Sequence, residues 1–293
     1  MNTKTKEIDN TATRLEFRGG ASLSLDFPLL MGVINITPDS FYDGGKYLSQ
    51  QAAIARSEQL ISEGADIIDL GPASTRPGAE YVSPEEELQR LLPVLEHLVK
   101  NHPHTPVSID TFHSSVAKET IEKGASMIND ISGGTMDAEM YKTVGKLKVP
   151  YVLMHIQGTP KTMQLEPHYT DVVEEIYEYF LQQIEKLKLA GVEQIIIDPG
   201  FGFGKTVEHN FTLLRHLGRF KSLELPIMAG LSRKSMINKV LKTKPENALT
   251  GTIALNTLAL IQGAAILRVH DVKEANQVIR MVKQYLSPNT TQE

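Results

Sequence analysis

The chain contains no cysteine among its 293 residues. Disulfides, thiolate zinc sites, iron–sulfur clusters and cysteine nucleophiles are therefore excluded, although this absence alone does not fix the cellular compartment. The first 17 residues carry no apolar core, which argues against a signal peptide. The longest uncharged stretch, Gly251–Leu267, is interrupted by polar residues and by Gly263, so it is a poor candidate for a membrane span. We therefore expect a cytoplasmic protein with no membrane partner.

Basic residues are too few to support nucleic-acid binding. The formal net charge is −5 at pH 7, whereas a nucleic-acid-binding protein needs a concentrated basic face. Apolar residues make up 41% of the chain and charged residues 22%, which is typical of globular rather than disordered proteins. A chain of this length buries about three quarters of its unfolded surface, so it needs no cross-links to fold. The composition indicates an enzyme-sized globular protein.

Short runs rich in valine, isoleucine and leucine alternate with longer segments of helical apolar spacing. Eight such runs lie between Leu29 and Val269, each followed by a candidate helix such as Pro84–Lys100 or Asp171–Ala190. Runs that are apolar on both faces and alternate with helices indicate buried parallel strands. Eight strand–helix units in roughly 250 residues predict an α/β fold of the (β/α)8, or TIM barrel, type. The alternative is an open doubly wound sheet, but the glycine fingerprint that usually follows its first strand is absent.

The segment before the first of these runs differs in pattern. Residues Thr13–Phe27 alternate around Gly19 and Gly20, which predicts a β-hairpin with a two-glycine turn. No linker-like composition divides the rest of the chain. We therefore predict an N-terminal extension with a hairpin over residues 1–27, one barrel over residues 28–288 and a frayed tail over residues 289–293.

Polar side chains end nearly every predicted strand. A single aspartate or asparagine at such a position is more often a turn former than a functional residue. The carboxyl ends of the strands of a parallel barrel all meet at one rim, however, and that rim is where such barrels carry out chemistry. The polar strand-end residues, in chain order, are Asn35, Asp69, Asp110, Asn129, Asp130, His155, Asp198, Arg268 and His270. Their number predicts a functional site at this rim.

The loops after the seventh and eighth predicted strands are rich in basic residues. Barrels often bind phosphate there, and an anion accepts charge-assisted hydrogen bonds from such side chains. The basic residues are Arg233, Lys234, Arg268 and His270. Across the rim, Asp110, Asn129 and Asp198 supply acceptors and an amide, a set that suits a flat heterocycle with several N–H groups. The residues alone predict a ligand with an amino-substituted ring joined to a phosphorylated arm.

The segment Asp198–Thr206 has the appearance of a nucleotide phosphate loop. The P-loop pattern requires glycine five residues before Gly204, where this chain has Pro199. The dinucleotide-binding pattern also fails, because its third glycine would fall on Lys205. A nucleoside triphosphatase is therefore disfavoured.

Seven sequence blocks occur in the order in which a known family has them. They are Met31–Phe41, Ser74–Gly78, Ser108–Asp110, Ile128–Gly133, Asp198–Lys205, Ser232–Ser235 and Arg268–Asp271. With these blocks the chain resembles the dihydropteroate synthases of the pterin-binding barrel family. The blocks span Leu29 to about Val272, nearly the whole predicted barrel, and together they are highly specific.

The resemblance implies a transferase of folate biosynthesis. In that reaction, 6-hydroxymethyl-7,8-dihydropterin diphosphate condenses with 4-aminobenzoate to give 7,8-dihydropteroate and diphosphate. The resemblance also implies Mg²⁺ as a cofactor, a homodimer as the assembly and sulfonamides as inhibitors. The uncharged helix Leu249–Gln262 is a candidate dimer interface, although packing on the barrel would explain that helix equally well.

The resemblance implies a role for each of several residues. Those for the pterin are Asp110, Asn129, Asp198, Lys234 and Phe203. Those for the diphosphate are Asn35, Thr75, Arg76, Arg268 and His270, with Asn35 also binding magnesium. Those for 4-aminobenzoate are Phe41, Thr75, Pro77, Phe203 and Ser235. Those expected to act in catalysis are Arg268, His270, Lys234 and Asp110. The loops Thr37–Gly45 and Ala73–Gly78 match mobile segments that close over the substrates.

Two features depart from the family pattern, and both lie in these loops. The second-strand loop reads Gly71-Pro72-Ala73, where the family more often has a second glycine and a glutamate before the serine. Tyr42 stands where a serine is usual. We expect these departures to affect substrate or drug affinity more than the type of reaction.

Two alternatives share the predicted pterin pocket. A methyltransferase acting on a methylated folate would need no diphosphate cluster, so Lys234, Arg268 and His270 favour the synthase. A non-catalytic pterin-binding barrel would be indicated by replacement of Arg268, Lys234 or the loop Thr37–Phe41, and all of these are intact.

Overall fold

The structure is a computed structural model, which describes residues 14–36, 45–72, 82–159, 162–163 and 165–287. In the first helix it describes side chains from residue 49 onward. Two short strands, β1 (Arg14–Glu16) and β2 (Ser22–Ser24), pair in antiparallel orientation and confirm the predicted hairpin. The turn is wider than two residues, because Phe17 still donates its N–H to the Ala21 carbonyl at 2.9 Å. Gly19 and Gly20 both have φ of 86°, a conformation that glycine adopts without steric cost.

Eight parallel strands follow, and helices connect them. The strands are β3 (Leu29–Asn35), β4 (Ile67–Gly71), β5 (Val107–Asp110), β6 (Met127–Asp130), β7 (Tyr151–Met154), β8 (Ile195–Asp198), β9 (Met228–Ala229) and β10 (Ile266–Val269). The helices are α1 (Gly45–Ser62), α2 (Pro84–Asn101), α3 (Ser114–Glu122), α4 (Met140–Leu147), α5 (Val172–Leu189), α6 (Val207–Arg215), α7 (Ser235–Leu241), α8 (Leu249–Ile261) and α9 (Val272–Leu286). Two 3-10 helices, Leu217–Leu223 and Pro245–Asn247, lie within the connections.

The eight strands form a nearly closed barrel, as predicted. Each strand from β3 to β7 pairs in parallel with the next strand along the chain, and β10 lies between β9 and β3. The remaining gap, between β8 and β9, is bridged where Ile197 donates its N–H to the Pro226 carbonyl at 3.0 Å. The carboxyl ends of all eight strands therefore surround one rim.

Local sequence signals account for the boundaries of the longest helices. Ser83 caps α2 by accepting a hydrogen bond from the Glu86 N–H at 3.3 Å, and Pro84 occupies the first helical turn, where no N–H is needed. Asp171 caps α5 in the same way through the N–H groups of Val173 and Glu174. The predicted segments Pro84–Lys100 and Asp171–Ala190 thus agree with the helices to within one residue at each end.

Side chains alternate between the outside and the inside of the barrel. Outward residues such as Ile68, Ile128 and Leu267 pack with the helices in the main hydrophobic core. The lower part of the interior is filled by apolar side chains, namely Leu29, Met31, Ile67, Met127, Val152, Ile196, Met228 and Ile266. This layer leaves room for polar side chains only nearer the carboxyl-terminal rim.

The N-terminal hairpin covers the lower opening of the barrel. Leu15 and Phe17, 2% and 7% exposed, join the apolar layer of the interior. Gln194, just before β8, fastens the hairpin from the barrel side: its Nε2 donates to the Glu16 carbonyl, and its Oε1 accepts from the Glu16 N–H, both at 2.8 Å. The hairpin is therefore part of the core, at the end of the barrel opposite the predicted site.

None of the helices in the described ranges is both long and apolar enough to cross a membrane. The domain limits at residues 28 and 288 stay predictions, and the tail from residue 288 onward lies outside the described residues.

Candidate active site

Four strands place a polar side chain at the same level inside the barrel. In β4, β6, β8 and β10, the residue two positions after an inward apolar side chain is polar, so the interior changes character within one step. These residues are Asp69, Asn129, Asp198 and Arg268, and we call them the polar layer. Alternate strands of a (β/α)8 barrel contribute side chains to one layer, which explains why these four converge.

The guanidinium of Arg268 joins two carboxylates from neighbouring strands. Its Nε donates to Asp69 Oδ2 at 2.7 Å, and its Nη2 donates to Asp110 Oδ2 at 2.8 Å. Asn129 donates from Nδ2 to the same Asp69 oxygen at 3.1 Å. Both carboxylates are buried and the Arg268 side chain is 14% exposed, so water screens these attractions only weakly.

Burial and neighbouring charges together set the pKa of the Asp110 carboxyl. Burial raises its pKa to about 7, against the opposing effect of Arg268. The Asp69 carboxylate raises this pKa further by repulsion, whereas Lys234 lowers it. A ligand that donates hydrogen bonds to Asp110 would therefore favour its ionised form.

Asp198 lies on the other side of the polar layer with one oxygen anchored. The Gly200 N–H donates to Asp198 Oδ1 at 2.8 Å. The second oxygen faces Gly230, where an added Cβ would lie 3.8 Å away. Burial raises the pKa of Asp198, and the Gly200 N–H together with Lys234 and Arg268 opposes that rise. The second oxygen, Oδ2, can accept hydrogen bonds from a ligand in the cavity.

Lys234 crosses the cavity toward the loop after β8. Its Nζ lies 4.0 Å from the centroid of the Phe203 ring, within the range of a cation–π contact. Burial and the nearby Arg268 lower the pKa of Lys234 to about 8, against the attraction of Asp198 and Asp110. The ammonium form is favoured at pH 7, and an anionic ligand would favour it further.

The loop that carries Phe203 is organised around a second lysine. Lys205 is 3% exposed, and its ammonium donates to the carbonyls of Gly200 at 3.0 Å and Phe203 at 2.9 Å. It also lies 3.1 Å from His155 Nδ1, at the end of β7. Burial lowers the pKa of Lys205 to about 7, and Asp198 opposes this effect. This side chain therefore holds the glycine-rich loop on the rim.

His270 is held as a neutral imidazole at the rim. Its Nδ1 lies 3.1 Å from Ser232 Oγ, and Arg56 donates to its backbone carbonyl at 2.8 Å. Burial lowers the pKa of His270 to about 4, and the positive charges of Arg268 and Arg233 add to that effect. A neutral ring can donate one hydrogen bond, and an anion beside it would favour the charged form.

Arg233 belongs to the predicted basic cluster, but its charge is already compensated. Its guanidinium makes a bidentate contact with Asp271, in which Nε lies 3.1 Å from Oδ2. The backbone adopts φ of 57° at this residue, and its N–H donates to Thr252 Oγ1 at 3.1 Å. Among the described residues, Lys234 and Arg268, unlike Arg233, also line the deeper part of the site.

An open cavity of about 380 Å³ lies at the carboxyl-terminal rim. Its lining includes predicted site residues, namely Asn35, Phe203, Lys234, Ser235, Arg268 and His270. A deeper recess lined by Asn129 and Asp198 shares Phe203, Lys234 and Arg268 with it. The recess measures only about 10 Å³, so a flat ring would enter it only after Lys234 and Phe203 moved aside, with the arm of the ligand toward His270.

The structure brings together every predicted site residue that it describes. Asp110 reaches this group through its contact with Arg268. Phe41, Thr75, Arg76 and Pro77 lie outside the described residues, as do most of the two predicted mobile loops.

Three buried residues had no role assigned from the sequence. Asp69 was noted only as a strand end, and Lys205 only as a mismatch to a phosphate-loop pattern. Glu87, in α2, is 3% exposed and accepts a hydrogen bond from Thr111 Oγ1 at 2.7 Å. Burial raises the pKa of Glu87 to about 8, against that hydrogen bond. The sequence signal for Glu87 was weak, because it is one of three glutamates in a first helical turn.

Comparison with known proteins agrees with this geometry. The family model described as pterin binding enzyme matches residues 31–270. The dihydropteroate synthase of Escherichia coli K12 is 44% identical over 273 residues, which cover 92% of this chain and 96% of that enzyme.

Solved structures give the same result. Dihydropteroate synthase of Xanthomonas albilineans with 4-aminobenzoic acid superposes with a TM-score of 0.87 at 41% identity, covering 95% of this chain and 100% of that one. The Yersinia pestis enzyme in a sulfonamide drug complex gives 0.86 at 40% identity, covering 93% and 98%. The chain belongs to the pterin-binding enzyme family and, within it, to the dihydropteroate synthases.

Proposed function

We propose that this chain condenses 6-hydroxymethyl-7,8-dihydropterin diphosphate with 4-aminobenzoate at the rim of the barrel. The observation that carries the proposal is the cluster beneath the open cavity, where Arg268 donates hydrogen bonds to Asp69 and Asp110 and Asn129 donates one to Asp69. The carboxylates suit the N–H groups of a pterin, and the arginine suits a diphosphate.

The pterin ring is assigned to the deeper recess. A ring amine and the adjacent ring N–H present two donors side by side, and one carboxylate accepts both. Asp198 fits that role because one of its oxygens faces the recess. Asn129 and Asp110 would bind the remaining polar edge, and Lys234 would bind a ring acceptor. Phe203 would close the recess above the ring.

The diphosphate is assigned to Arg268 and His270, which line the outer cavity together with Asn35. Thr75 and Arg76, outside the described residues, are proposed to complete this anion site. As negative charge grows on the departing diphosphate, Arg268 and His270 would donate hydrogen bonds to it, which is the usual source of such rate enhancement.

Magnesium is proposed as the cofactor, with Asn35 as its protein ligand. The described ranges contain no group of three or more His, Asp or Glu side chains that could hold a metal ion by themselves. Mg²⁺ commonly binds through one or two protein oxygens plus substrate phosphates, and the exposed amide of Asn35 at the end of β3 is such an oxygen donor. When bound, the ion would neutralise charge on the diphosphate.

The 4-aminobenzoate is assigned to the outer part of the cavity. Phe203 offers an aromatic wall, and Ser235, exposed at the start of α7, faces the position proposed for the carboxylate. Phe41, Thr75 and Pro77 are proposed to cover this position from the two loops. Closure of these loops would exclude water, which otherwise competes for the activated methylene carbon.

The residues of the site indicate the order in which bonds break and form. The carbon–oxygen bond at the pterin methylene breaks as the diphosphate leaves, and the dihydropterin ring delocalises the positive charge. The neutral amine of 4-aminobenzoate then attacks that carbon, and the proton that it loses passes to the departing diphosphate or to solvent. This nucleophile needs positioning more than deprotonation, which agrees with a site built from acceptors and cations rather than from a nucleophile–base pair.

One assay tests the reaction. Purified chain is mixed with magnesium and both substrates, and formation of diphosphate and dihydropteroate is measured. We expect equal amounts of both products. Transfer of a methyl group from a methylated folate would favour the methyltransferase, and tight pterin binding without product would favour a non-catalytic barrel; neither alternative explains Arg268 and Lys234 at the anion position.

Two finer points are also proposals. The predicted interface helix corresponds to α8, and it borders a groove of about 460 Å³ shared with α9. Met281 and Tyr285 on this face are 72% and 75% exposed, so a second copy of the chain is a suitable cover. Sedimentation should give a dimer, and Met281→Glu should shift it to monomer. The cytoplasmic location expected from the sequence stays a prediction.

A further inference from the structure

Asp69 is a fully buried carboxylate inside the barrel, 0% exposed. It stands in β4 two residues after Ile67, which belongs to the apolar layer. A charged group at this depth is costly unless it is hydrogen-bonded and paired. No role for Asp69 follows from the reaction proposed above, since its contacts are to other side chains of the site.

The two oxygens of Asp69 have different surroundings. Oδ2 accepts hydrogen bonds from Arg268 Nε at 2.7 Å and from Asn129 Nδ2 at 3.1 Å. Oδ1 is buried and has no hydrogen-bond partner among the described residues. The carboxylate therefore concentrates its interactions on one oxygen, between the residue proposed for the diphosphate and one proposed for the pterin.

The pairing of strands fixes this arrangement. Asp69 lies opposite Val33 on one side and opposite Ser108 on the other. Ser108 is equally buried, and its hydroxyl also lacks a hydrogen-bond partner in the described ranges. Asp69 and Ser108 thus lie side by side on neighbouring strands at equal burial, but only Asp69 makes hydrogen bonds to Arg268 and Asn129.

We propose that Asp69 is a positioning residue, which orients Arg268 toward the diphosphate and the Asn129 amide toward the pterin through a single carboxylate oxygen. Arg268 donates hydrogen bonds from two of its nitrogens, one to Asp69 and one to Asp110. Because the guanidinium is planar, these two bonds also fix the directions of its remaining N–H groups. The Asn129 amide is likewise fixed, because its NH₂ group is committed to Asp69 and its oxygen is left for a ligand N–H.

The inference rests on the roles proposed for Arg268 and Asn129, and it predicts an unequal effect on the two substrates. Asp69→Asn keeps the shape of the side chain but removes its charge. We expect kcat/KM for the pterin diphosphate to fall by at least about tenfold, with the KM for 4-aminobenzoate changed by less than about threefold. If the role of Asp69 were purely structural, Asp69→Asn would change the kinetic constants for both substrates to a similar extent and would also lower the melting temperature.

The experiment compares four full-length variants with the wild type: Asp69→Asn, Ser108→Ala, Arg268→Ala and the double variant Asp69→Asn/Arg268→Ala. Ser108→Ala is the matched control, because it alters an equally buried side chain on the neighbouring strand whose hydroxyl makes no hydrogen bond to Arg268 or Asn129. It should keep wild-type kinetics. In the Arg268→Ala background, Asp69→Asn should lower kcat/KM by a smaller factor than in the wild type, since one of the two residues that it positions is gone and only its effect through Asn129 remains. Asp69→Ser serves as a second variant if Asp69→Asn melts below the assay temperature.

Equal losses caused by Asp69→Asn with and without Arg268 would overturn the inference, as would wild-type kinetics for Asp69→Asn. An inactive wild-type chain would overturn the proposed function and this inference with it. An active wild type supports the proposed function, and a fall in kcat/KM for the pterin diphosphate with little change in the KM for 4-aminobenzoate in Asp69→Asn supports the inference as well.

Discussion

Arg268 donates a hydrogen bond to Asp110 at 2.8 Å, so the residue proposed for the diphosphate touches one proposed for the pterin ring. The two halves of one substrate are thus bound by side chains in direct contact. A change at either residue alters the charge felt by the other, because little water lies between them. Variants of this cluster are therefore best measured on each substrate separately.

Asp198→Asn should weaken pterin binding. The substitution replaces a ligand-facing acceptor with an NH₂ donor, so a buried ligand donor loses its partner at a cost of about 1–3 kcal/mol. We expect affinity for a pterin without diphosphate, measured by calorimetry, to fall by about 5- to 150-fold. Unchanged affinity would assign the ring donors to another carboxylate.

Arg268→Ala should slow the chemical step. Loss of one preorganised donor to developing charge typically lowers the rate by about 10²–10³. A pterin that lacks the diphosphate should still bind, because Asp198 is retained. Single-turnover measurements at saturating 4-aminobenzoate provide the test.

Arg219→Ala is the matched control, since Arg219 pairs with Glu174 on the outer surface, where 37% of its side chain is exposed. If the Arg268→Ala and Arg219→Ala variants had equal rate constants for breaking the carbon–oxygen bond, the anion site would lie elsewhere on the rim.

His270 should take up a proton when diphosphate binds. Its pKa is about 4 in the free protein, and an adjacent anion favours the imidazolium, so binding raises this pKa. Calorimetry at about pH 6 in two buffers of different ionisation enthalpy counts the protons. His270→Gln should take up fewer protons than the wild type, by at most about one. Identical uptake in the two proteins would place the titrating group elsewhere.

Glu87→Gln should flatten the dependence of stability on pH. The pKa of Glu87 is about 8 in the folded chain, above the value of about 4.3 for an exposed glutamate. The folded state therefore binds more protons between these values, and its free energy of unfolding declines as pH rises from 4.3 to 8. When the pH is raised from about 5.5 to 8, the melting temperature of the wild type should fall more than that of Glu87→Gln, by about 2 °C or more.

The control for Glu87 is Glu96→Gln, at a position in the same helix where 59% of the side chain is exposed. The melting temperature of Glu96→Gln should change between the two pH values by the same amount as that of the wild type. A melting curve for Glu87→Gln parallel to that of the wild type would show that Glu87 is not held protonated.

Leu15→Ala should destabilise the fold without changing the reaction. The side chain is buried against the lower layer of the barrel, and such truncations cost about 2–5 kcal/mol. Urea unfolding measures the loss, with exposed Leu189→Ala as the control. The value of kcat at temperatures below the transition should not change, because the hairpin lies at the opposite end from the rim. A fall in kcat with an unchanged midpoint would contradict this assignment.

The sequence predicted the barrel and most of the site because both depend on local patterns. Apolar runs mark strands whichever partner they pair with, and the residue that ends each run lies at the rim by construction of the fold. Asn129, Asp198 and Arg268 were found in this way. The hairpin followed equally from its alternation and its two glycines.

What the sequence could not provide was contact between distant segments. The bond between Arg268 and Asp69 joins residues 199 positions apart and depends on the register of strands around the barrel. Lys205 lies in a glycine-rich loop, where lysine is ordinarily exposed, and only the folded loop encloses it. The pairing of Arg233 with Asp271, which removes one cation from the predicted phosphate cluster, is a third such contact.

Strand β10 pairs with β3 from Leu29 opposite Ile266 to Gly32 opposite Val269, so the first and last strands of the barrel are neighbours. Lys283 in the last helix places its Nζ 3.7 Å from the ring centroid of Phe27, just before the first strand. Because the first and last strands are neighbours, the arrangement of strands around the barrel does not depend on where the chain begins. New termini could be opened at a connection on the lower side and the old ends linked, leaving the chemistry at the upper rim untouched.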